Sequence, residues 1–172
     1  APSGGEIVIA LGPALAEAWR DKETIIMERV ANLRTAHEQT LGFTFPALQL
    51  TNASSLGDKE YEIRFFGARY AYGRIEPDCT LAIRGEGASR QLDGVETVDP
   101  AFGLPAVWVP GVGPHAEQGY TFIDPITVFI THLGEVLRIE TSTLVTRASV
   151  SALLEQARVR QPGLVEELVP TL

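Results

Sequence analysis

The sequence predicts an α+β fold: a mixed sheet packed against helices, a small inserted subdomain and a partial helical C-terminal subdomain. Short runs that alternate apolar and polar residues indicate half-buried strands in the first half of the chain. Two longer stretches carry apolar residues at three- and four-residue steps, as amphipathic helices do. Between them, residues 98–118 contain four prolines and leave room for little regular structure.

The composition of the chain excludes several classes of function. The 172 residues are 45% hydrophobic and 21% charged, which fits one globular domain or two small ones. Twenty-two acidic against 14 basic side chains give a net charge of −8, which disfavours nucleic acid as a partner. No stretch has the roughly 20 continuous apolar residues that span a bilayer. A single cysteine, Cys79, excludes an intrachain disulfide.

The first half of the chain predicts a strand, a helix and a hairpin. Residues 6–11 form an apolar run that Gly12 ends, as a buried strand does. A helix is expected from Asp21, its N-cap, to Gly42, just past its end. A short strand at 47–50 and a hairpin of 61–65 with 70–75 follow.

The second half predicts strands at 80–83, 106–109 and 120–123, the last returning to the core. Asp124 then caps a helix whose first residue is Pro125. Residues 98–119 are expected to form a small insertion beside the main sheet. Two short helices are expected after Thr146 and after Pro162. The C-terminus looks cut short, just as residues 1–5 look like a cut linker rather than a signal peptide.

Strong enzyme motifs are absent from the sequence: it has no phosphate loop, zinc-protease helix or nucleophile elbow. A small hydrolase using Thr131 or Cys79 with His132 is an alternative. Neighbouring residues on a helix point in different directions, which disfavours the Thr131 version. No basic residue beside Cys79 lowers the pKa of its thiol. His37, at the edge of an apolar stripe, is expected to be structural.

The segment D-P-A-F-G-L-P at 99–105 is the most distinctive part of the sequence. Its prolines limit the backbone, and Gly103 permits a sharp turn beside Phe102. In one interpretation Asp99 forms a side-chain turn and Phe102 fills the local core, which composition favours. In the other, a stiff loop presents Phe102 to another protein, since a rigid aromatic loses little entropy on docking.

Four ordered blocks resemble the cytoplasmic domain of the flagellar and type III secretion export gate proteins. They lie at residues 92–109, 116–124, 131–138 and 164–170. The resemblance covers most of the chain and is weakest over residues 1–60. It implies a first α+β subdomain at residues 1–80 and 120–141 and an inserted subdomain at residues 81–119. It also implies that residues 142–172 begin a helical third subdomain that is cut short. The wording of the T-H-L-G-E-V-L-R block looks more flagellar than injectisome-type.

The resemblance implies a non-enzymatic, cofactor-free docking domain that binds export chaperone–substrate complexes and other export apparatus components. In that family the docking surface includes the residues that fall here on Asp99, Phe102 and Thr131. Proteins of that family also form a nine-membered ring on the cytoplasmic face of the bacterial inner membrane. They are attached to the membrane by an embedded N-terminal half, which this chain lacks. A module that only assembles the ring is a further alternative.

Overall fold

The first of two sheets in the computed structural model of the chain contains both parallel and antiparallel strands. The model describes residues 7–42, 44–140 and 153–155. The strands of this sheet are β1 (Ile7–Leu11), β2 (Leu48–Asn52), β3 (Glu60–Phe65) and β4 (Ala68–Arg74), in the order β2-β1-β3-β4. β1 pairs parallel with β2 and antiparallel with β3, and β3 pairs antiparallel with β4. The mixed sheet expected from the sequence is therefore present.

A second, antiparallel sheet follows. Its strands are β5 (Cys79–Arg84), β6 (Val95–Val98), β7 (Pro105–Pro110) and β8 (Tyr120–Ile123), in the order β6-β7-β5-β8. Prolines stand at both ends of β7, where a missing N–H disturbs a ladder least. The tight connection between β6 and β7 carries the D-P-A-F-G segment.

Three helices complete the described part of the chain. They are α1 (Pro13–Ala18), α2 (Glu23–Leu41) and α3 (Pro125–Ile139), with a short 3-10 turn at Arg20–Lys22. Gly42 ends α2 in the left-handed conformation, with φ of 71°. Asp124 caps α3 by accepting a hydrogen bond from the backbone N–H of Thr127. Both of these termini follow the sequence-based expectation.

The two sheets share one hydrophobic core with the helices. Phe129 of α3 is fully buried at its centre, with its ring centroid 5.7 Å from that of Trp19 and 5.1 Å from that of Tyr61. Trp108 and Leu81 of the second sheet join the same cluster. The opposite face of that sheet forms a small separate cluster around Val107. The core thus fixes the second sheet against α3 and β3.

The α+β class is confirmed, and the expected elements differ from the structure in three details. The sequence did not predict α1, which begins directly after Gly12. Asp21 does not cap α2, because it lies within the 3-10 turn and α2 begins at Glu23 without a side-chain cap. The sequence also did not predict β6, at Val95–Val98. It is only four residues long and largely exposed, so it lacks the apolar alternation that would have revealed it.

The strand at 120–123 belongs to the second sheet. β8 pairs antiparallel with β5, so Leu81 lies opposite Ile123, and Ile123 packs against the common core. The expected boundary between residues 80 and 81 also falls inside β5. The predicted third subdomain at 142–172 lies outside the described residues except for 153–155.

We expect Phe129→Ala to lower the free energy of unfolding by about 3–5 kcal/mol, because it leaves a cavity between Trp19 and Tyr61. Phe102→Ala removes the same ring from a 59% exposed position and should change stability by less than about 0.5 kcal/mol. Chemical denaturation of both variants by circular dichroism checks this. Equal losses for the two variants would contradict the assignment of the core.

Candidate functional site

The turn between β6 and β7 is closed by three hydrogen bonds that all involve Asp99. The backbone N–H of Asp99 donates to the carbonyl oxygen of Leu104 at 2.8 Å, and the N–H of Gly103 donates to the carbonyl oxygen of Asp99 at 2.7 Å. The Asp99 carboxylate accepts the backbone N–H of Phe102 at 2.8 Å. Gly103 has φ of 70°, a conformation that glycine adopts without strain. The turn is therefore held from both backbone and side chain.

This turn holds Phe102 outside the core. The Phe102 side chain is 59% exposed, which rules out the interpretation that it fills the local interior. Val98 and Leu104, at the two ends of the turn, are also exposed. We call these three residues the apolar patch. Three exposed apolar side chains within seven residues are typical of a surface that another molecule covers.

Asp99, in contrast, is buried, with only 4% of its surface exposed. It therefore forms the side-chain turn of the first interpretation, while Phe102 follows the second. The charge of Asp99 acts on two other buried groups, the phenol of Tyr61 and the imidazole of His132. The turn of the second sheet is thus close to β3 and to α3.

Tyr61 and His132 form a buried pair beneath the turn. The Tyr61 hydroxyl and Nδ1 of His132 are hydrogen-bonded at 2.6 Å. Burial raises the pKa of the Tyr61 phenol, and the Asp99 charge raises it further. Burial also lowers the pKa of His132 below its ordinary value of 6.5, a shift that the Asp99 carboxylate opposes. Both groups are therefore held neutral near pH 7.

Thr131 lies on α3, immediately before His132, and is half-buried. The structure joins Asp99 and Phe102 in one turn, and it couples Asp99 electrostatically to the residue beside Thr131. Asp124 and Pro125 fix the start of this helix. The three residues expected at the docking surface thus come from two elements that share one core.

The geometry does not support the hydrolase alternative. Nδ1 of His132 is engaged by Tyr61, and burial lowers the pKa of the imidazole. Burial together with the nearby Glu76 and Asp78 carboxylates raises the pKa of the Cys79 thiol, which leaves less of the nucleophilic thiolate. These shifts oppose the activation that a Cys–His pair requires.

The sequence reasoning missed Tyr61 as part of this site. Tyr61 faces inward from β3, and its ring lies against Gly73 of β4, where an added Cβ would come within 2.5 Å of the hydroxyl oxygen. The alternation of apolar and polar residues in β3 predicted that Tyr61 is buried. No local pattern predicted its hydrogen-bond partner, His132, which lies 71 residues later. His37 is structural, as expected: its ring nitrogens contact the carbonyl oxygens of Leu33 and Gly134.

Comparison with known proteins assigns the chain to a family. The sequence pattern of the FHIPEP family matches residues 4–172. The chain belongs to the FHIPEP family. It is 32% identical over 144 residues to the flagellar biosynthesis protein FlhA of Helicobacter pylori, a match that covers 83% of this chain and 20% of the relative. It is also 32% identical over 147 residues to FlhA of Escherichia coli, covering 84% of this chain and 21% of the relative.

The chain thus spans about a fifth of the length of these FHIPEP relatives. Among solved structures, the CdsV protein of Chlamydia pneumoniae matches with a TM-score of 0.67 at 22% identity, covering 96% of this chain and 51% of the CdsV chain. The nonameric SctV-C of EPEC matches with a TM-score of 0.52 at 12% identity, covering 100% and 51%. These structures share the fold. No helix in the described part of the chain is both long and apolar enough to cross a membrane.

We expect the free energy of unfolding to fall as the pH is lowered from about 7.5 to 5.5. The pKa of His132 is lower in the folded than in the unfolded chain, so below pH 6.5 the unfolded state binds more protons and gains stability. One such proton contributes at most about 1.4 kcal/mol per pH unit. Denaturant titrations across this range measure the slope.

The matched control is His132→Gln, whose amide oxygen can still accept from Tyr61 but does not titrate. The slope of this variant should be smaller than that of the unaltered chain. Identical slopes would show that His132 is not protected from protonation by its surroundings.

Proposed function

We propose that this chain is a docking module of a bacterial protein export gate, at which export chaperones deliver their substrates. The membership of the chain in the FHIPEP family and its FlhA relatives support a role in flagellar and type III protein export. The role is binding rather than catalysis, because the buried His132–Tyr61 pair is arranged to stay neutral and inaccessible.

The observation that carries the proposal is the exposure of Phe102 on a turn that cannot easily rearrange. Pro100 limits the backbone of the turn, and Asp99 holds it by three hydrogen bonds. A large aromatic side chain on such a turn loses little conformational entropy when a partner covers it. The flanking Val98 and Leu104 extend the apolar area that a partner would bury.

Asp99 and Thr131 have different roles in this proposal. Because Asp99 is buried, it acts as a positioning residue that sets the direction of Phe102. Thr131 is half-buried on α3 and is proposed to contribute its hydroxyl to the same partner. The partner therefore meets an aromatic anchor and a polar group from two different elements.

We place the module on the cytoplasmic face of the inner membrane, within a nine-membered ring of the full-length protein. The nonameric SctV-C of EPEC, which shares the fold, supports the ring. The solved complex of Chlamydia pneumoniae CdsV with CdsO supports binding of other export components.

We expect Phe102→Ala to weaken binding of an export chaperone–substrate complex by at least about tenfold, because Phe102 acts as an interface anchor. The chaperone and its substrate come from the same bacterium as this chain. Calorimetry with the purified complex measures the affinity. Val112→Ala is the matched control, because Val112 is 58% exposed but follows the opposite end of β7. This control should bind within about twofold of the unaltered chain.

Equal affinities of the Phe102→Ala variant and the unaltered chain, with unchanged circular dichroism, would contradict the proposal. A variant that alters the size of the ring but not the affinity would instead favour the ring-assembly alternative. Turnover of ester, peptide or phosphate substrates that His132→Ala abolishes would favour the hydrolase.

A further inference from the structure

The two outer strands of the first sheet differ in how they are protected. β4 forms one edge, carries Arg69 and Arg74, and has an irregular register opposite Ile63 and Arg64 of β3. Charges and bulges of this kind discourage the addition of another strand. β2, the other edge, has the sequence Leu-Gln-Leu-Thr-Asn, with no charge, no proline and an unbroken register against β1. Of the two edges, β2 is the unprotected one.

The hydrogen bonds of β2 show which of its backbone groups face outward. The N–H of Ile7 donates to the carbonyl of Ala47, and the N–H of Ala53 donates to the carbonyl of Leu11. In a parallel ladder the bonding residues alternate, so Gln49 and Thr51 bond to β1 as well. The N–H and C=O groups of the residues between them therefore point away from β1. These residues are Leu48, Leu50 and Asn52.

A cleft of about 340 Å³ lies beside this edge, between β2 and the segment from α1 to α2. Leu50 and Asn52, whose backbone groups face outward, also line the cleft. Its apolar lining includes Ala16 of α1 and the almost fully buried Trp19. Within residues 7–42 and 44–140, no strand pairs with this edge of β2, and the same residues border a space for a side chain.

The rim of the cleft is acidic. Glu17 and Glu23 line it, with Arg20 as the basic residue among the lining side chains, and Arg20 forms an ion pair with Glu17 at 3.2 Å. The whole chain carries a net charge of −8. A second copy of the chain would bring the same negative charge to this surface, which disfavours it as the occupant.

We propose that β2 is a docking edge for an extended segment of a partner protein in which apolar side chains alternate with basic ones. The segment adds as a fifth strand beside β2 and bonds to the outward-facing backbone groups of Leu50 and Asn52. An apolar side chain enters the cleft over Trp19, and a basic one approaches Glu23. Strand addition of this kind takes affinity from main-chain hydrogen bonds and specificity from pockets for alternate side chains.

The probe is an acetylated and amidated seven-residue peptide in which four lysines alternate with three leucines, titrated into the full chain by calorimetry. We expect a dissociation constant below about 1 mM, weak but measurable for one added strand. Two further peptides carry backbone N-methyl groups. In the first, every leucine is N-methylated, and in the second, every lysine is. One of these two should lose at least about tenfold in affinity, because only one set of N–H groups faces β2.

Two variants of the protein locate the site. Asn52→Pro removes an outward N–H, which an edge strand tolerates, whereas Asn52→Ala removes the side chain but keeps the N–H. We expect Asn52→Pro to bind the parent peptide at least about fivefold more weakly and Asn52→Ala to bind it within about twofold. If Asn52→Pro fails to fold, the N-methylated peptides test the same bonds on the unaltered chain.

Several results would overturn the proposal. No binding of the parent peptide would do so, as would equal affinity of the parent and both N-methylated peptides, since charge attraction needs no N–H groups. A dimer of the unaltered chain in sedimentation velocity that Asn52→Pro disrupts would assign the edge to a second copy instead. Loss of binding in Asn52→Ala equal to that in Asn52→Pro would assign the effect to the side chain rather than to the strand edge.

Discussion

The buried carboxylate of Asp99 is the constraint on which the candidate site depends. A charge removed from water is costly unless hydrogen bonds and nearby groups compensate it. Here the N–H of Phe102 donates to the carboxylate, and the backbone of Asp99 closes the turn to Leu104 and Gly103. These hydrogen bonds form only when the backbone of residues 99–104 takes this turn conformation. The direction of the Phe102 side chain therefore follows from the burial of Asp99.

The same carboxylate connects the turn to the common core. Its charge acts on Tyr61 of the first sheet and on His132 of α3, which are hydrogen-bonded to each other. Phe129, one turn earlier on α3, packs against the Tyr61 ring. The exposed patch is therefore supported by a rigid interior rather than by a flexible loop. Such support keeps the entropic cost of docking low at the proposed partner site.

Local patterns in the sequence predicted much of the fold, and the failures have physical reasons. The hairpin of β3 and β4, the left-handed end of α2 at Gly42 and the cap of α3 at Asp124 all depend on neighbouring residues, and the structure contains them. The pairing of β8 with β5 depends on contacts between residues some 40 positions apart, which no local pattern encodes. Asp21 was a plausible cap by residue type, but the 3-10 turn displaced the start of α2.

The candidate site was predictable in part. The proline-bracketed segment around Phe102 was evident from its composition, and the two interpretations of it each proved half right. Asp99 is buried in a side-chain turn, as one interpretation required, whereas Phe102 is exposed, as the other required. Composition cannot separate the two, because it does not show which side chains of the turn the fold buries. The role of the two residues in binding a partner stays a proposal.

The most direct measurement of the central claim is a double-mutant cycle between Asp99→Ala and Phe102→Ala, read as affinity for the purified chaperone–substrate complex. If Asp99 acts by positioning Phe102, both single variants bind more weakly, and the double variant binds no more weakly than Phe102→Ala by itself. Additive losses in the double variant, with each variant still folded by circular dichroism, would contradict the claim. They would show that Asp99 affects binding independently of the Phe102 ring.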